Sequence, residues 1–151
     1  GAMDDRLSIG QAYRFDEVAC YGVGVGSGDT FQPAAAVGWP QWSGDSSVSQ
    51  RAIGDRIGPT GITAGHVLLT ACAASAGPAD VAARRALIPD AVAEDMEGFG
   101  IALACELAGV PWTIIRGISN RAGDRDHSQW CVEPALEAAA ALARKTLAEA
   151  P

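Results

Sequence analysis

Asp90-Ala-Val-Ala-Glu-Asp-Met96-Glu97-Gly98, followed by Pro111-Trp-Thr-Ile-Ile115-Arg116-Gly-Ile-Ser119-Asn120, decides the architecture. Residues 91–96 are mostly apolar and end in carboxylates, which predicts a buried strand delivering acid groups at its end. Residues 98–107 alternate small and large apolar side chains up to Gly109, a helix with a glycine stop. Trp-Thr-Ile-Ile is strongly β-forming, so a second strand runs from Pro111 to Gly117 and delivers Arg116, Ser119 and Asn120 at its end. In open α/β sheets ligands bind outside the carboxyl ends of the strands. A carboxylate and a side-chain amide meeting there can hold a polyhydroxylated ring at one point and a heterocycle at another.

The pattern extends outward from this unit. Residues 65–72 read as another buried strand, Pro78 opens a helix that runs to about Leu87, and Pro89 closes it. Gln11 to Cys20 reads as one first strand. Tyr21 to Gln50 is rich in Gly, Pro, Ser and Trp and reads as a long loop, a composition used for function or interfaces. Within it, Gly22-Val-Gly24-Val-Gly26-Ser-Gly28 fits neither phosphate-loop pattern and is expected to be a bulged strand end or flexible loop. Glu133 to Glu149 is an Ala-rich amphipathic helix with Leu136, Ala140, Ala143 and Leu147 on one stripe. Strands alternating with helices give an α/β domain of three layers, a mixed and largely parallel sheet with helices on both faces.

Composition narrows the partners. The 151 residues suit one domain, and 48 % apolar with 19 % charged residues exclude disorder and coiled coil. Against 18 acidic residues stand 11 basic ones, a net charge of −7 with no basic cluster, so neither nucleic acid nor an anionic membrane is an expected partner. The uncharged run from Ile57 to Ala79 is broken by Gly and Pro and reads as loop, strand and loop, not as a membrane span. Cys20, Cys72, Cys105 and Cys131 form no CxxC pair, and no metal site or cofactor is expected. Cys72 and Cys105 lie in apolar runs and read as core thiols, suiting a reducing cytoplasm.

Each polar candidate also has a plain structural role open to it. Glu97 is either a ligand-facing carboxylate or a helix N-terminal residue satisfied by backbone N–H groups. Of Glu94 and Asp95, at least one is expected to face solvent. Arg116 suits an ion pair with Glu97 or Asp126, while Ser119 and Asn120 suit a turn or cap. His66 reads as a structural histidine, and residues 123–127 as a solvated loop.

Taken together, Met96-Glu97-Gly98, Arg116-Gly-Ile-Ser119-Asn120, Gly123-Asp-Arg-Asp126 and Trp130 resemble the nucleoside phosphorylase/hydrolase family. The likeness is nearest to its futalosine hydrolase branch, related to methylthioadenosine/S-adenosylhomocysteine nucleosidases. It is dense from Val67 to Leu147 and looser at Leu7-Ser-Ile-Gly10. The resemblance implies a nucleosidase that acts on a small-molecule nucleoside. A homodimer or larger homo-oligomer is expected because a sheet lacking the family's first strands leaves an open edge, and Trp39-Pro-Gln-Trp42 places two large aromatics in a long loop. Glu97 would hold the ribose hydroxyls and Met96 pack under the sugar, with Arg116 beside them. Asn120, steadied by Ser119, would contact the leaving base, and Trp130 would cover the nucleoside; Glu97 and Asn120 are the expected catalytic pair. An amide NH₂ serves the two acceptors of a 6-oxopurine, O6 and N7, better than it serves adenine. Such polar mismatches can discriminate by roughly 10⁴. The chain corresponds to the C-terminal two-thirds of the family domain. The first strands, a water-activating acid and a Gly-rich loop are then expected to be missing, with Gly1-Ala2-Met3 either a tag remnant or that loop's tail. Cys72 to Ser75, where the family places a base-stacking aromatic, carry Ala and Ser instead.

Overall fold

The computed structural model describes residues 1–44, 50–58 and 66–149. Its centre is strand β6 (Val67–Ala71), buried at all five positions. It pairs in parallel with β2 (Val18–Tyr21) on one side and β7 (Ala91–Asp95) on the other, and β5 (Arg56–Ile57) adds antiparallel to β2. The crossover from β6 to β7 is helix α1 (Pro78–Leu87), and helix α2 (Gly98–Ala108) follows β7. Alternation along β6 distributes its side chains between two layers. Leu68 packs with Phe99 and Ala102 of α2, whereas Leu69 and Ala71 pack with Val81 of α1. Helices therefore cover both faces, as the alternating sequence pattern predicts.

The predicted first strand is two strands. β1 (Ala12–Phe15) runs antiparallel to β8 (Ile114–Gly117), and β2 lies in the other sheet. The break falls at Asp16-Glu17, where Asp16 accepts a hydrogen bond from Thr113 Oγ1 at 2.7 Å and the Glu17 carbonyl accepts from Leu68 N at 3.1 Å. Two consecutive acidic residues serve a sheet-to-sheet switch better than a strand interior. The segment read as loop holds a small hairpin of β3 (Gly24–Val25) and β4 (Gln32–Pro33), in which Gly24 and Gly26 adopt positive φ. Residues 45–49 of that loop, and Gly65 of the strand expected over 65–72, lie outside the described residues.

Gly1 to Met3 are built into the sheet. Met3 N donates to Val92 O and Glu94 N to Gly1 O, while Ala2 N donates to Asn120 O and Ala122 N to Ala2 O. These residues occupy the outer edge of β7 and tie it to the segment after β8. The edge expected to lie open is covered there.

Two packing expectations are corrected. In α3 (Val132–Ala148) Leu136 and Leu147 are exposed, and Ala135 is the buried contact. A Cβ on Gly117 would stand 2.2 Å from the Ala135 carbonyl, so the helix backbone rides directly on β8 and only a small residue fits the seam. That close approach rotates the helix one residue from its largest apolar side chains. Cys72 is exposed at the end of β6 and Cys105 is half-buried, so neither is a core thiol. No helix among the described residues is long and apolar enough to cross a membrane.

Between α1 and β7 lies a buried ion pair. Arg84 Nη1 meets Glu94 Oε2 at 2.6 Å, with both side chains under one-tenth exposed. Ser75 Oγ and Ser75 N donate to the same carboxylate at 2.6 and 3.0 Å, and Arg84 Nη2 donates to Ala73 O at 2.9 Å. Removing one member of such a pair strands the other charge, at about 3–5 kcal/mol, whereas replacing both by apolar groups is often neutral. Arg84→Met is therefore expected to lower unfolding free energy by about 3–5 kcal/mol in urea, and Arg84→Met with Glu94→Leu to recover most of it. A double variant as unstable as the single one would show that α1 needs the charges themselves.

A second stability test concerns Gly98, the first residue of α2. Alanine normally favours a helix over glycine by about 1 kcal/mol. Here a Cβ would lie 2.8 Å from Asp95 Oδ2 and 2.9 Å from Leu68 Cδ2. Overpacking of that kind costs about 1–3 kcal/mol, so Gly98→Ala is expected to destabilise in the same urea titration.

Candidate functional site at the ends of β7 and β8

Asp95, the last residue of β7, organises this end of the sheet. Thr70 Oγ1 donates to Asp95 Oδ1 at 2.7 Å, Gly98 N to Oδ2 at 3.0 Å and Arg116 Nε to Oδ2 at 2.8 Å. Phe99 N in turn donates to Thr70 Oγ1 at 2.8 Å. Two orphan N–H groups at the start of α2 are thus served from neighbouring strands, in place of an N-cap side chain. Sequence reading expected Glu94 or Asp95 to face solvent, yet both side chains are under one-tenth exposed. Adjacent strand residues point to opposite faces, and each found an arginine, the buried Arg84 on one and the partly exposed Arg116 on the other. The signal for Asp95 was present: a short acid three residues before the first helical residue is placed to accept its N–H.

Glu97 follows with its carboxylate released from that task. It occupies the N-cap position of α2 but makes no side-chain cap hydrogen bond, and it is 64 % exposed. Its contact is Arg116 Nη2 at 3.4 Å. Arg116 thus pairs with Asp95 first and Glu97 second, and not with Asp126. Asp126 instead accepts from Ser128 N at 3.1 Å and Ser128 Oγ at 2.6 Å, which holds its carboxyl below the usual range.

Two adjoining cavities open here. One, of about 290 Å³, is lined by Met96, Glu97, Arg116 and Ile118. The other, of about 140 Å³, is lined by Asn120, Trp130, Arg125 and Ala74. Both touch Glu94, Asp95 and Met96, and Met96 stands 51 % exposed between them. The six residues predicted for the site are brought to these cavities, except that Ser119 reaches them through its neighbour. Ser119 Oγ donates to Asn120 Oδ1 at 2.9 Å, while Asn120 Nδ2 donates to Arg121 O at 2.8 Å and Asp124 O at 3.5 Å. The amide NH₂ therefore points into its own loop and must turn to meet a ligand. Trp130 packs against His127 with ring centroids 4.2 Å apart, and the Arg125 guanidinium lies 5.5 Å from the Trp130 ring. His127 is thus a support for Trp130. His66 meets the Tyr13 ring edge-on at 6.4 Å, the structural role expected of it.

Size does not single out this place. A cavity of about 540 Å³ lies at the opposite, N-terminal end of β8, but its charges are spent in the pairs Arg14–Asp16 and Arg51–Glu106. Another, of about 280 Å³ beside Tyr21, Phe31 and Leu87, includes Cys20, whose thiol burial pushes up to about 11. A thiol so protonated is a poor nucleophile at neutral pH. Among the described residues no three metal-ligating side chains cluster.

The sequence profile of the Phosphorylase superfamily matches residues 9–149. A futalosine hydrolase of Streptomyces coelicolor is 48 % identical over 61 residues, which span 38 % of this chain and 26 % of that protein. Those of Acidothermus cellulolyticus and Thermus thermophilus are 50 % identical over 48 residues and 45 % over 56, spanning 20 % and 25 % of their lengths. Among solved structures, the 5'-methylthioadenosine/S-adenosylhomocysteine nucleosidase of Neisseria meningitidis, in complex with methylthio-immucillin-A, superposes with a TM-score of 0.60 at 20 % identity. That match covers 92 % of this chain and 64 % of the nucleosidase. The Colwellia psychrerythraea nucleosidase, in complex with adenine, gives 0.51 at 22 % identity and covers 93 % and 63 %. Both share its α/β fold. With the profile running through β1 to α3, the chain belongs to the Phosphorylase superfamily.

Proposed function

We propose that this chain carries the nucleoside-binding part of an N-ribosyl hydrolase that cleaves a 6-oxopurine nucleoside such as futalosine and releases hypoxanthine. The observation that carries the reading is the state of the three acids around the cavities. Glu94 and Asp95 are saturated by protein donors, and Glu97 is left with one long contact. A carboxylate so placed suits the two hydroxyls of a ribose, with Arg116 orienting it and Met96 under the sugar. The smaller cavity takes the base, with Asn120 against its edge, Ser119 fixing Asn120, and Trp130 as the cover. The resemblance to futalosine hydrolases supports this assignment of substrate class.

The chemistry follows from charge separation. Cleavage of an N-glycosidic bond passes through an oxocarbenium-like sugar and leaves electron density on the base. A carboxylate beside the sugar and hydrogen-bond donors beside the base each stabilise that state by about 3 kcal/mol when preorganised. One observation favours a second reading, a non-catalytic nucleoside-binding or assembly module. Glu97 is the one unsaturated acid of the three, and it cannot both hold the ribose and activate water. Without a separate base, about 10²–10⁴ in rate is lost.

Chromatography after incubation with futalosine or inosine separates the readings: released hypoxanthine establishes the hydrolase, and binding without release establishes the module. Glu97→Gln is expected to weaken nucleoside binding by about 1–3 kcal/mol, the range for charged hydrogen bonds, and to leave binding of free hypoxanthine unchanged. Equal weakening of both would mean that Glu97 supports the fold. In the same calorimetry Asn120→Asp should move the preference toward adenine, and an unchanged order would remove Asn120 from base reading. Assembly as a homodimer or larger homo-oligomer belongs to the proposal. Trp39 is 57 % exposed, while Trp42 packs on the core. Light scattering is expected to give at least twice the 15.4 kDa chain mass, with Trp39 shielded from acrylamide. A monomer with quenched Trp39 would discard that part.

A further inference from the structure

Of the arginines around the smaller cavity, one stands without an anion among the described residues. Arg116 is paired with Asp95 and Glu97, Arg84 with Glu94, and Arg121 with Asp5. Arg125 lines the cavity and is exposed, and among the described residues its guanidinium forms no ion pair or hydrogen bond. Its acidic neighbours in sequence are turned to the loop itself. Asp124 Oδ1 accepts from Asp126 N at 2.9 Å, and Asp126 Oδ1 accepts from Ser128 N and Ser128 Oγ. The contact that Arg125 does make is with the Trp130 ring, whose centroid lies 5.5 Å from the guanidinium carbon. A cation–π contact at an exposed site contributes about 0.5–1 kcal/mol, and it removes part of the rotamer freedom that the arginine would lose on binding. The other side-chain donors of this wall are withdrawn. The Asn120 NH₂ is spent on the carbonyls of Arg121 and Asp124, and Trp130 Nε1 is buried inside the protein. The side-chain donor that a ligand meets here is the guanidinium of Arg125.

We propose that Arg125 reads the edge of the bound base, with two N–H groups of its guanidinium donating in parallel to O6 and N7 of a 6-oxopurine. The inference rests on the nucleoside reading of this site and gives base specificity to a residue which that reading leaves unused. A guanidinium is a planar fork of N–H donors with no acceptor. It meets the same two acceptors of guanine bidentately in the major groove of DNA. Taking both acceptors together is what separates oxo from amino bases. Adenine keeps N7 but sets an N6–H donor where O6 would stand, so one arm of the fork faces another donor and the pair of bonds cannot form. O6 has a second lone pair, which stays open to the Asn120 amide once that side chain turns from its loop. As the glycosidic bond breaks, electron density gathers on the base, and a guanidinium bonded to O6 and N7 stabilises it without giving up a proton.

Calorimetry of the whole chain with free bases tests the contact, and the exposure of Arg125 lets it be replaced without disturbing the core. The parent is expected to bind hypoxanthine more tightly than adenine. Arg125→Met should weaken hypoxanthine roughly ten- to hundredfold, the span of hydrogen bonds to a charged group, and leave adenine unchanged. Arg125→Lys keeps the charge and loses the fork, so hypoxanthine should stay about tenfold or more below the parent. Purine lacks O6 and 7-deazahypoxanthine lacks N7, so each should lose less than hypoxanthine does in Arg125→Met. Equal weakening of hypoxanthine and adenine, or full recovery in Arg125→Lys, would overturn the bidentate contact and leave Arg125 a general positive charge. Unchanged hypoxanthine binding in Arg125→Met would remove Arg125 from base reading while the nucleoside reading stands. If no purine base binds the parent at millimolar concentration, the nucleoside reading itself falls, and the inference with it.

Discussion

The carboxylate of Asp95 is the constraint on which this end of the molecule depends. It stands where β6, β7, β8 and α2 converge and receives a hydroxyl, a backbone N–H and a guanidinium from three of them. Hydrogen bonds to a charged group contribute about 1.5–3 kcal/mol each, and they are stronger where water is largely excluded. Glycine at position 98 is a consequence, because a Cβ there would press on both Asp95 and Leu68. The freedom of Glu97 is another. With the first N–H groups of α2 satisfied by Asp95 and Thr70, the residue at the N-cap is not required as a cap, and its charge faces outward. A structural acid thereby releases the carboxylate two residues later from a capping role.

Glu94 shows the same logic on the opposite face. Strand alternation turns it toward α1, where Arg84, Ser75 and Ser75 N close around it. Burying an ion pair is seldom a net gain in stability, but it fixes register. The loop from Ala73 to Gly77 and the last turns of α1 are held to the end of β7 by one carboxylate. Gly123, at φ +82, brings its own loop within 2.7 Å of the Gly77 backbone as measured from a Cβ position, so no side chain fits between them. The floor of the smaller cavity is therefore set by backbone contacts and buried charge. That rigidity is what a site requires of its supports.

Much of this was legible in the sequence. The bounds of β7, α1 and α2 follow from Pro78, Pro89, Gly98 and Gly109, residues whose backbone preferences act locally. The sequence places Glu97, Arg116 and Asn120 at strand ends, but β7 and β8 lie in separate sheets, so their convergence is set by the fold and not by a local crossover unit. What was not legible depends on partners far along the chain. Whether Asp95 faces solvent is decided by Arg116 and Thr70, and the break of the first strand is decided by Thr113 and Leu68. In α3 the composition itself misleads, because alanines occupy every face and the inward one is chosen by the Gly117 seam. The state of Asn120 is beyond sequence for a similar reason, since its amide is claimed by carbonyls only 1 and 4 residues ahead whose orientation the loop sets.

The two cavities also divide the electrostatics of the proposed reaction. The larger one carries the exposed negative charge of Glu97, on the side that the proposal gives to the sugar. The smaller one is lined by Arg125, on the side that the proposal gives to the departing base. Met96 lies between them, an apolar thioether that contributes contact without charge. Two opposite charges interact more strongly as water is displaced from between them, so an occupied site would polarise its ligand along the glycosidic bond. Reversing either end would set the field against cleavage. In the proposed reaction this places the negative charge by the sugar and the cationic group by the base, and the pairing of Asp95 and Glu94 with their arginines keeps further negative charge out of the site. Left unpaired, either would place a second negative charge between the two cavities and weaken the gradient that the proposed reaction uses.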